Sequence, residues 1–146
     1  MEYKQTVDDI KNRLDEKLSK ILMVDVLSNL LGKTRDIEDE ALERLTVVVV
    51  RGLSDLGNSQ EFNKKEYIRD LNNIKKHVRT TYGYIARGEL KSESMGIGIA
   101  LGVAAGAALI SFNGSLIAVG IAVGLAIGSG VGISREKKEE EKGNIY

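Results

Sequence analysis

The side chains that most often carry chemistry are scarce in this chain of 146 residues, which has one His and no Cys, Trp or Pro. Without cysteine there are no disulfides, no thiolate metal sites and no cysteine nucleophile. His77 sits among Lys75, Lys76 and Arg79 on a basic segment. A lone imidazole cannot build a metal site, so His77 reads as a surface residue. The densest group of carboxylates is Asp36, Glu38, Asp39, Glu40 and Glu43. They lie near a helix start, where negative charge favours the helix dipole, and read as a solvated face rather than a catalytic pair or a metal cage. Gly32-Lys33-Thr34 matches the end of a phosphate-binding loop, but that pattern needs Gly five residues before Gly32, and the position is Leu27. Gly96 and Gly98 are followed by Leu101 where a dinucleotide fingerprint needs Gly. Tyr82 and Tyr84 beside Arg79 and Arg87 are too few for a nucleic-acid stacking platform. These residues imply no enzyme, no cofactor and no metal.

Glycine supplies the spacing with the clearest physical meaning. Gly98, Gly102 and Gly106 recur at every fourth residue, and so do Gly120, Gly124, Gly128 and Gly132. Alanines follow the same period: Ala100, Ala104 and Ala108, then Ala118, Ala122 and Ala126, with Gly130 completing the second row. Four-residue spacing places small residues on one face of a helix and lets another backbone approach closely. One row suffices to join two helices, and the other is left for a neighbouring molecule, which points to a homo-oligomer. Over residues 96–132 the pattern resembles the glycine-zipper class of membrane proteins, in which small-residue repeats pack helices in channels, pores and bilayer-inserting toxins. The resemblance implies membrane insertion and close helix packing.

The elements around these residues follow from charge and period. Acidic and basic residues balance at 21 each, which gives no overall basic field for nucleic acid. Every charged side chain lies outside residues 94–134. Within that uncharged stretch, residues 95–112 and 116–133 each form an arm of 18 residues, joined by Asn113-Gly114-Ser115. An 18-residue helix is about 27 Å long, close to the roughly 30 Å hydrocarbon core. Asn-Gly favours a turn, and Asn113-Gly114-Ser115 reads as turn chemistry rather than a glycosylation site. The start of the chain does not read as a signal peptide, since Glu2, Asp8 and Asp9 come early and no apolar run follows. Arg87 and Lys91 precede the arms and Arg135, Lys137, Lys138 and Lys142 follow them, so the positive-inside rule puts both termini in the cytoplasm. Large apolar side chains fill only 8 positions of the first arm and 9 of the second, which makes each arm a weak inserter on its own.

Residues 1–91 read as a charged helical domain. Val7, Ile10, Leu14, Leu18, Ile21 and Leu22 mark one helix, capped by Thr6, and Ile21–Leu31 a buried continuation or a second helix stopped at Gly32. Another helix is expected over Ile37–Val50, with Ile37, Ala41, Leu42, Leu45, Val48 and Val49 inward. A loop follows over Gly52–Asn63. Asn63 then caps a long helix to Arg87, with Tyr67, Ile68, Leu71, Ile74, Val78, Tyr82 and Ile85 inward. Residues 64–91 carry 8 basic and 3 acidic groups, against 9 and 13 in residues 1–63. Lys75, Lys76, Arg79, Arg87 and Lys91 are therefore either contacts to anionic lipid headgroups or a solvated face balanced by the acidic first half.

The whole reads as an all-α protein. An N-terminal cytosolic helical bundle, 1–91, precedes a C-terminal transmembrane helical hairpin, 92–134, and a charged cytosolic tail, 135–146. The leading functional reading is a non-enzymatic integral membrane protein whose hairpin anchors and oligomerises an interaction domain, with a protein partner for residues 1–91. The alternatives are a membrane-permeabilising effector (pore-forming, toxin, holin-like or defence) and a structural protein of a membrane-bounded particle.

Overall fold

The structure, a computed structural model, describes residues 2–57, 62–108 and 115–146. The described residues form seven α-helices and no strand: α1 (Glu2–Arg13), α2 (Glu16–Ile21), α3 (Val24–Lys33), α4 (Glu40–Ser54), α5 (Lys64–Tyr82), α6 (Glu89–Ala108) and α7 (Leu116–Glu141). They divide into two compact units, Met1–Ala86 with Tyr146, and Arg87–Ile145.

In the first unit, apolar residues at helical spacing bury one face of each longer helix. Val7 and Ile10 of α1, Leu27 and Leu30 of α3, Leu42, Val49 and Leu53 of α4, and Leu71, Ile74 and Val78 of α5 form one core. Helix ends are set by side chains that satisfy free backbone N–H groups. Asp15 accepts from Leu18 N at the start of α2, Asp39 from Ala41 N and Leu42 N at the start of α4, and Asn63 from Glu66 N at the start of α5. Tyr67 is buried, and its hydroxyl donates to the Leu22 carbonyl at 3.0 Å. That bond ties α5 to the α2–α3 junction, where Met23 takes a left-handed conformation (φ 52°).

Several expected boundaries move. Thr6 lies inside α1, which starts at Glu2. The chain breaks between α1 and α2, where Asp15 opens a new helix. Gly32 does not end α3. That helix runs to Lys33, and the Thr34 N–H closes it on the Leu30 carbonyl. Helix α4 begins three residues after Ile37 and continues through Gly52 to Ser54, so its buried face is Leu42, Thr46, Val49, Val50 and Leu53. Val48, expected inward, is 51% exposed. A 3₁₀ turn over Asp55–Gly57 replaces the first part of the expected loop. Helix α5 stops at Tyr82 rather than Arg87, because Gly83 (φ 72°) takes the left-handed turn and returns its N–H to the Arg79 carbonyl. The basic helix is thus separate from the first apolar arm.

In the second unit, α6 and α7 pack antiparallel: Gly106 lies against Ile117, Gly102 against Gly120, and Gly98 against Gly124. Helix α7 passes through residue 134 and runs to Glu141, so the charged tail begins as a continuation of that helix, as expected of a helical extension. Asn113 and Gly114 of the expected turn, and the end of the first arm from 109, lie outside the described residues.

Candidate functional site

The seam between α6 and α7 is built from glycine and backbone. Gly98, Gly102, Gly106, Gly124, Gly128 and Gly132 are buried, and Gly120 is half-buried. A Cβ placed on Gly102 would lie 2.7 Å from the Gly120 carbonyl carbon and 3.3 Å from the Ile121 nitrogen. One placed on Gly106 would lie 2.6 Å from the Ile117 Cα. Gly128 faces Ser94 and Met95, and Gly132 faces Leu90 and Lys91. Each obstructing atom belongs to backbone, so no side-chain rotation could make room. All seven glycines at four-residue spacing therefore meet on one interface.

The outer face of this unit inverts the usual distribution of side chains. Ile97 and Leu101 on α6 are 57% and 67% exposed, and Ile127 on α7 is 62% exposed. Val119, Val123, Val131 and Ile133 are exposed as well. Among the described residues one helix, Leu116–Glu141, is long and apolar enough to cross a membrane, and only 17% of its most apolar stretch is buried. The core helix of a water-soluble protein would be mostly covered; α7 is not. Gly96 and Gly130 have no atom within 4 Å of an added Cβ, and Ala100, Ala104, Ala118, Ala122 and Ala126 are exposed beside them.

Polar contacts close the end of the pair where the charges begin. The Gly88 N–H donates to Glu136 Oε1 at 2.8 Å, which places a carboxylate at the N-terminus of α6, where the helix dipole favours it. Arg87 pairs with Glu140 at 2.7 Å. Arg135 reaches the Ser94 hydroxyl at 3.5 Å, and Ser94 is buried. Lys142 and Asn144 both donate to Glu139, whose carboxyl is held below its ordinary range by those bonds.

The five cations assigned to lipid headgroups do not share one element. Lys75, Lys76 and Arg79 lie on α5 of the first unit, with Lys76 exposed. Arg87 and Lys91 belong to the second unit and are exposed.

His77 differs most from expectation. Its Nε2 lies 2.7 Å from Asp39 Oδ2, and the same oxygen accepts the Tyr82 hydroxyl at 2.5 Å. Asp39 Oδ1 meanwhile caps α4. The Tyr82 hydroxyl, His77 and the cap together hold the Asp39 carboxyl well below the usual carboxylate range, and the same carboxylate pushes the Tyr82 hydroxyl up. The cluster ties the start of α4 to the end of α5. Both Asp39 oxygens accept hydrogen bonds in this tie. Nothing in the local pattern announces it, because Asp39 and His77 are 38 residues apart. The described residues hold no group of three or more metal-ligating side chains.

No family model, curated protein or solved structure matches the chain.

Proposed function

We propose that this chain is a non-enzymatic integral membrane protein in which α6 and α7 cross the bilayer as a glycine-zipped hairpin, both termini are cytoplasmic, and residues 1–86 form a cytosolic interaction domain. One observation carries the reading: the α6–α7 pair buries glycine backbone and exposes Ile, Leu and Val. In hydrocarbon that arrangement is favourable on both counts. Apolar side chains face lipid, and close van der Waals packing replaces the hydrophobic drive that lipid does not provide. The same surface in water would far exceed the apolar patches that monomeric soluble proteins carry.

The open row of Gly96, Gly130 and the exposed alanines supports assembly of hairpins side by side into a homo-oligomer. The flanking cations Arg87, Lys91 and Arg135 favour a cytoplasmic, anionic-lipid-bearing face.

The glycine and alanine content favours a second reading on one point. With large apolar side chains at only 8 and 9 positions of the two arms, insertion is weak enough to follow a trigger, as a permeabilising effector requires. The anchor is preferred because the described faces of α6 and α7 offer no polar lining for a water-filled path.

The test is flotation and dye release with anionic liposomes. The anchor reading expects the protein to float with the vesicles after an alkaline wash while the dye is retained. Dye release abolished by Gly124→Ile would move the function to permeabilisation. Failure to float would remove both.

A further inference from the structure

Helix α4 buries Leu42, Thr46, Val49, Val50 and Leu53 in the first unit. Away from that face, Val47 and Val48 are 41% and 51% exposed. Packing within the unit does not choose the residue at such positions, and a strong helix former such as Ala, Glu or Lys serves best there. Valine instead loses side-chain freedom in a helix and leaves apolar surface in water. Nothing within the helix favours this adjacent pair, whereas a partner that covers it would.

The charges beside the valines say which partner fits. Helix α4 carries four charged side chains, Glu40, Glu43, Arg44 and Arg51. Glu40 and Arg44 pair with each other at 3.5 Å. Glu43 and Arg51 are exposed and have no ion-pair partner among the described residues. Each stands four residues from Val47, one before it and one after, on the ridge of i, i+4 positions that passes through Val47. About 12 Å of helix separates them, too far for a pair within one chain. Reversing the helix about Val47 brings position 51 opposite 43, position 54 opposite 40 and position 50 opposite 44. Glu43 then meets Arg51, Arg51 meets Glu43, and no like charges meet, since Glu40 faces Ser54 and Arg44 faces Val50. A second copy of the same helix, antiparallel about a two-fold axis, makes both pairs at once.

We propose that α4 is a self-association face. Two copies of the chain pair antiparallel through this helix, with Val47 on the two-fold axis against the partner's Val47 and a reciprocal Glu43–Arg51 ion pair on either side. Two valines per chain and two exposed ion pairs make a small, reversible contact. The proposal rests on the reading of residues 1–86 as an interaction domain and names the partner as a second copy; it uses no residue of the hairpin.

Disulfide cross-linking of the full chain in detergent micelles tests it, because the chain has no native cysteine. Val47→Cys should give a covalent dimer under mild oxidation, and Lys65→Cys, at an exposed position on α5, should not. In the Val47→Cys background, Glu43→Arg or Arg51→Glu alone turns two attractive pairs into two repulsive ones and should cut the yield about tenfold. The two single variants mixed should recover the yield as a heterodimer identified by mass, and the chain with both changes should recover it as a homodimer. Mixing cannot repair a lost fold, so recovery also reports that both variants are folded. Assembly through the hairpin alone would leave the yield insensitive to charge at positions 43 and 51. The proposal is overturned by a Val47→Cys yield no higher than that of Lys65→Cys, by yields that ignore either charge reversal, or by mixing that fails to restore them. Flotation of the same variants with anionic liposomes involves no residue of α4, so a chain that floats but meets one of those outcomes loses this contact and keeps the anchor.

Discussion

Alanine at Gly102 should weaken the α6–α7 pair, while alanine at Gly96 should strengthen it. Both glycines lie in α6, six residues apart, and the substitution is the same. At Gly102 the added Cβ would stand 2.7 Å from the Gly120 carbonyl carbon, where ordinary contact begins at 3.4 Å. The Gly120 carbonyl oxygen lies nearer still, so the helices must separate locally by more than the carbon contact alone requires. A gap of roughly 0.5–1 Å forfeits a quarter to a half of the dispersion energy of the atoms it parts. Overpacking of this kind costs about 1–3 kcal/mol. Opposing it, Ala is better than Gly inside a helix by about 1 kcal/mol. At Gly96 nothing lies within 4 Å of the added Cβ, so only the favourable contribution remains. Subtracting one variant from the other cancels helix propensity and isolates the packing cost of about 1–3 kcal/mol, a factor of roughly 5 to 160 in the pairing equilibrium. The chain has no cysteine, so Ser92→Cys and Ser134→Cys provide unique labelling positions at exposed residues near one end of the seam. Energy transfer between the labels, followed through an SDS titration in bicelles, reads the equilibrium directly. Equal midpoints for Gly96→Ala and Gly102→Ala would refute the backbone-on-backbone seam, and with it the packing basis of the hairpin.

The first unit can be followed separately, because all five Tyr belong to it and their fluorescence reports that unit alone. Leu27→Ala, at a fully buried position, should cost about 2–5 kcal/mol in urea unfolding. Gly83→Ala forces a Cβ into a left-handed turn and should cost about 1–2 kcal/mol, with the loss confined to this unit. Asp39 and Asp8 are held below their ordinary range, so their contribution is complete above the unfolded carboxylate value near pH 4 and is lost as pH falls through the lower folded values. Tyrosine-monitored stability should therefore drop below about pH 4, and Asp39→Asn should be less stable at neutral pH with a shallower acid dependence. Arg87→Ala breaks an exposed pair with Glu140 and should leave the SDS midpoint of the second unit nearly unchanged; a clear drop would show that this contact holds the end of the helix pair.

Helix content was legible where the signal is local. The Asn63 cap and the inward Tyr67, Leu71, Ile74 and Val78 follow from a side chain that competes for backbone N–H groups and a period that repeats every turn. Boundaries failed where two local signals conflict. Gly32 resembles a stop yet lies inside α3, because Thr34 supplies the closing bond one residue beyond Lys33. Val48 fits an inward stripe begun at Ile37, but Ile37 lies before α4, and the face that helix buries is centred on Leu42, Thr46, Val49 and Leu53. The tie of Asp39, His77 and Tyr82 was not legible at all. It depends on α4 and α5 being neighbours, and its members carry no spacing rule.

The two units obey opposite packing rules, and the contrast narrows what their surroundings must be. The first buries its largest apolar side chains, among them Leu22, Leu27, Leu30 and Leu71, and leaves its charges outside. Burial of that kind is driven by water, at about 1.5–3 kcal/mol per large side chain. The second buries glycines, which release almost no apolar side-chain surface from water on pairing, and leaves Ile97, Leu101 and Ile127 uncovered. Water therefore supplies little drive for its seam and a strong drive for its outer face to find cover. That cover must be long enough to match α7 from Leu116 to about Ile133, must end where Arg135 begins, and must be apolar on every side at once. A single protein groove covers one face of a helix. A bilayer, as proposed above, would cover all of them. If the pair were instead covered by a soluble partner, the purified chain without that partner would neither float with vesicles nor stay monodisperse in water, and the partner would have to enclose both helices over their full apolar length.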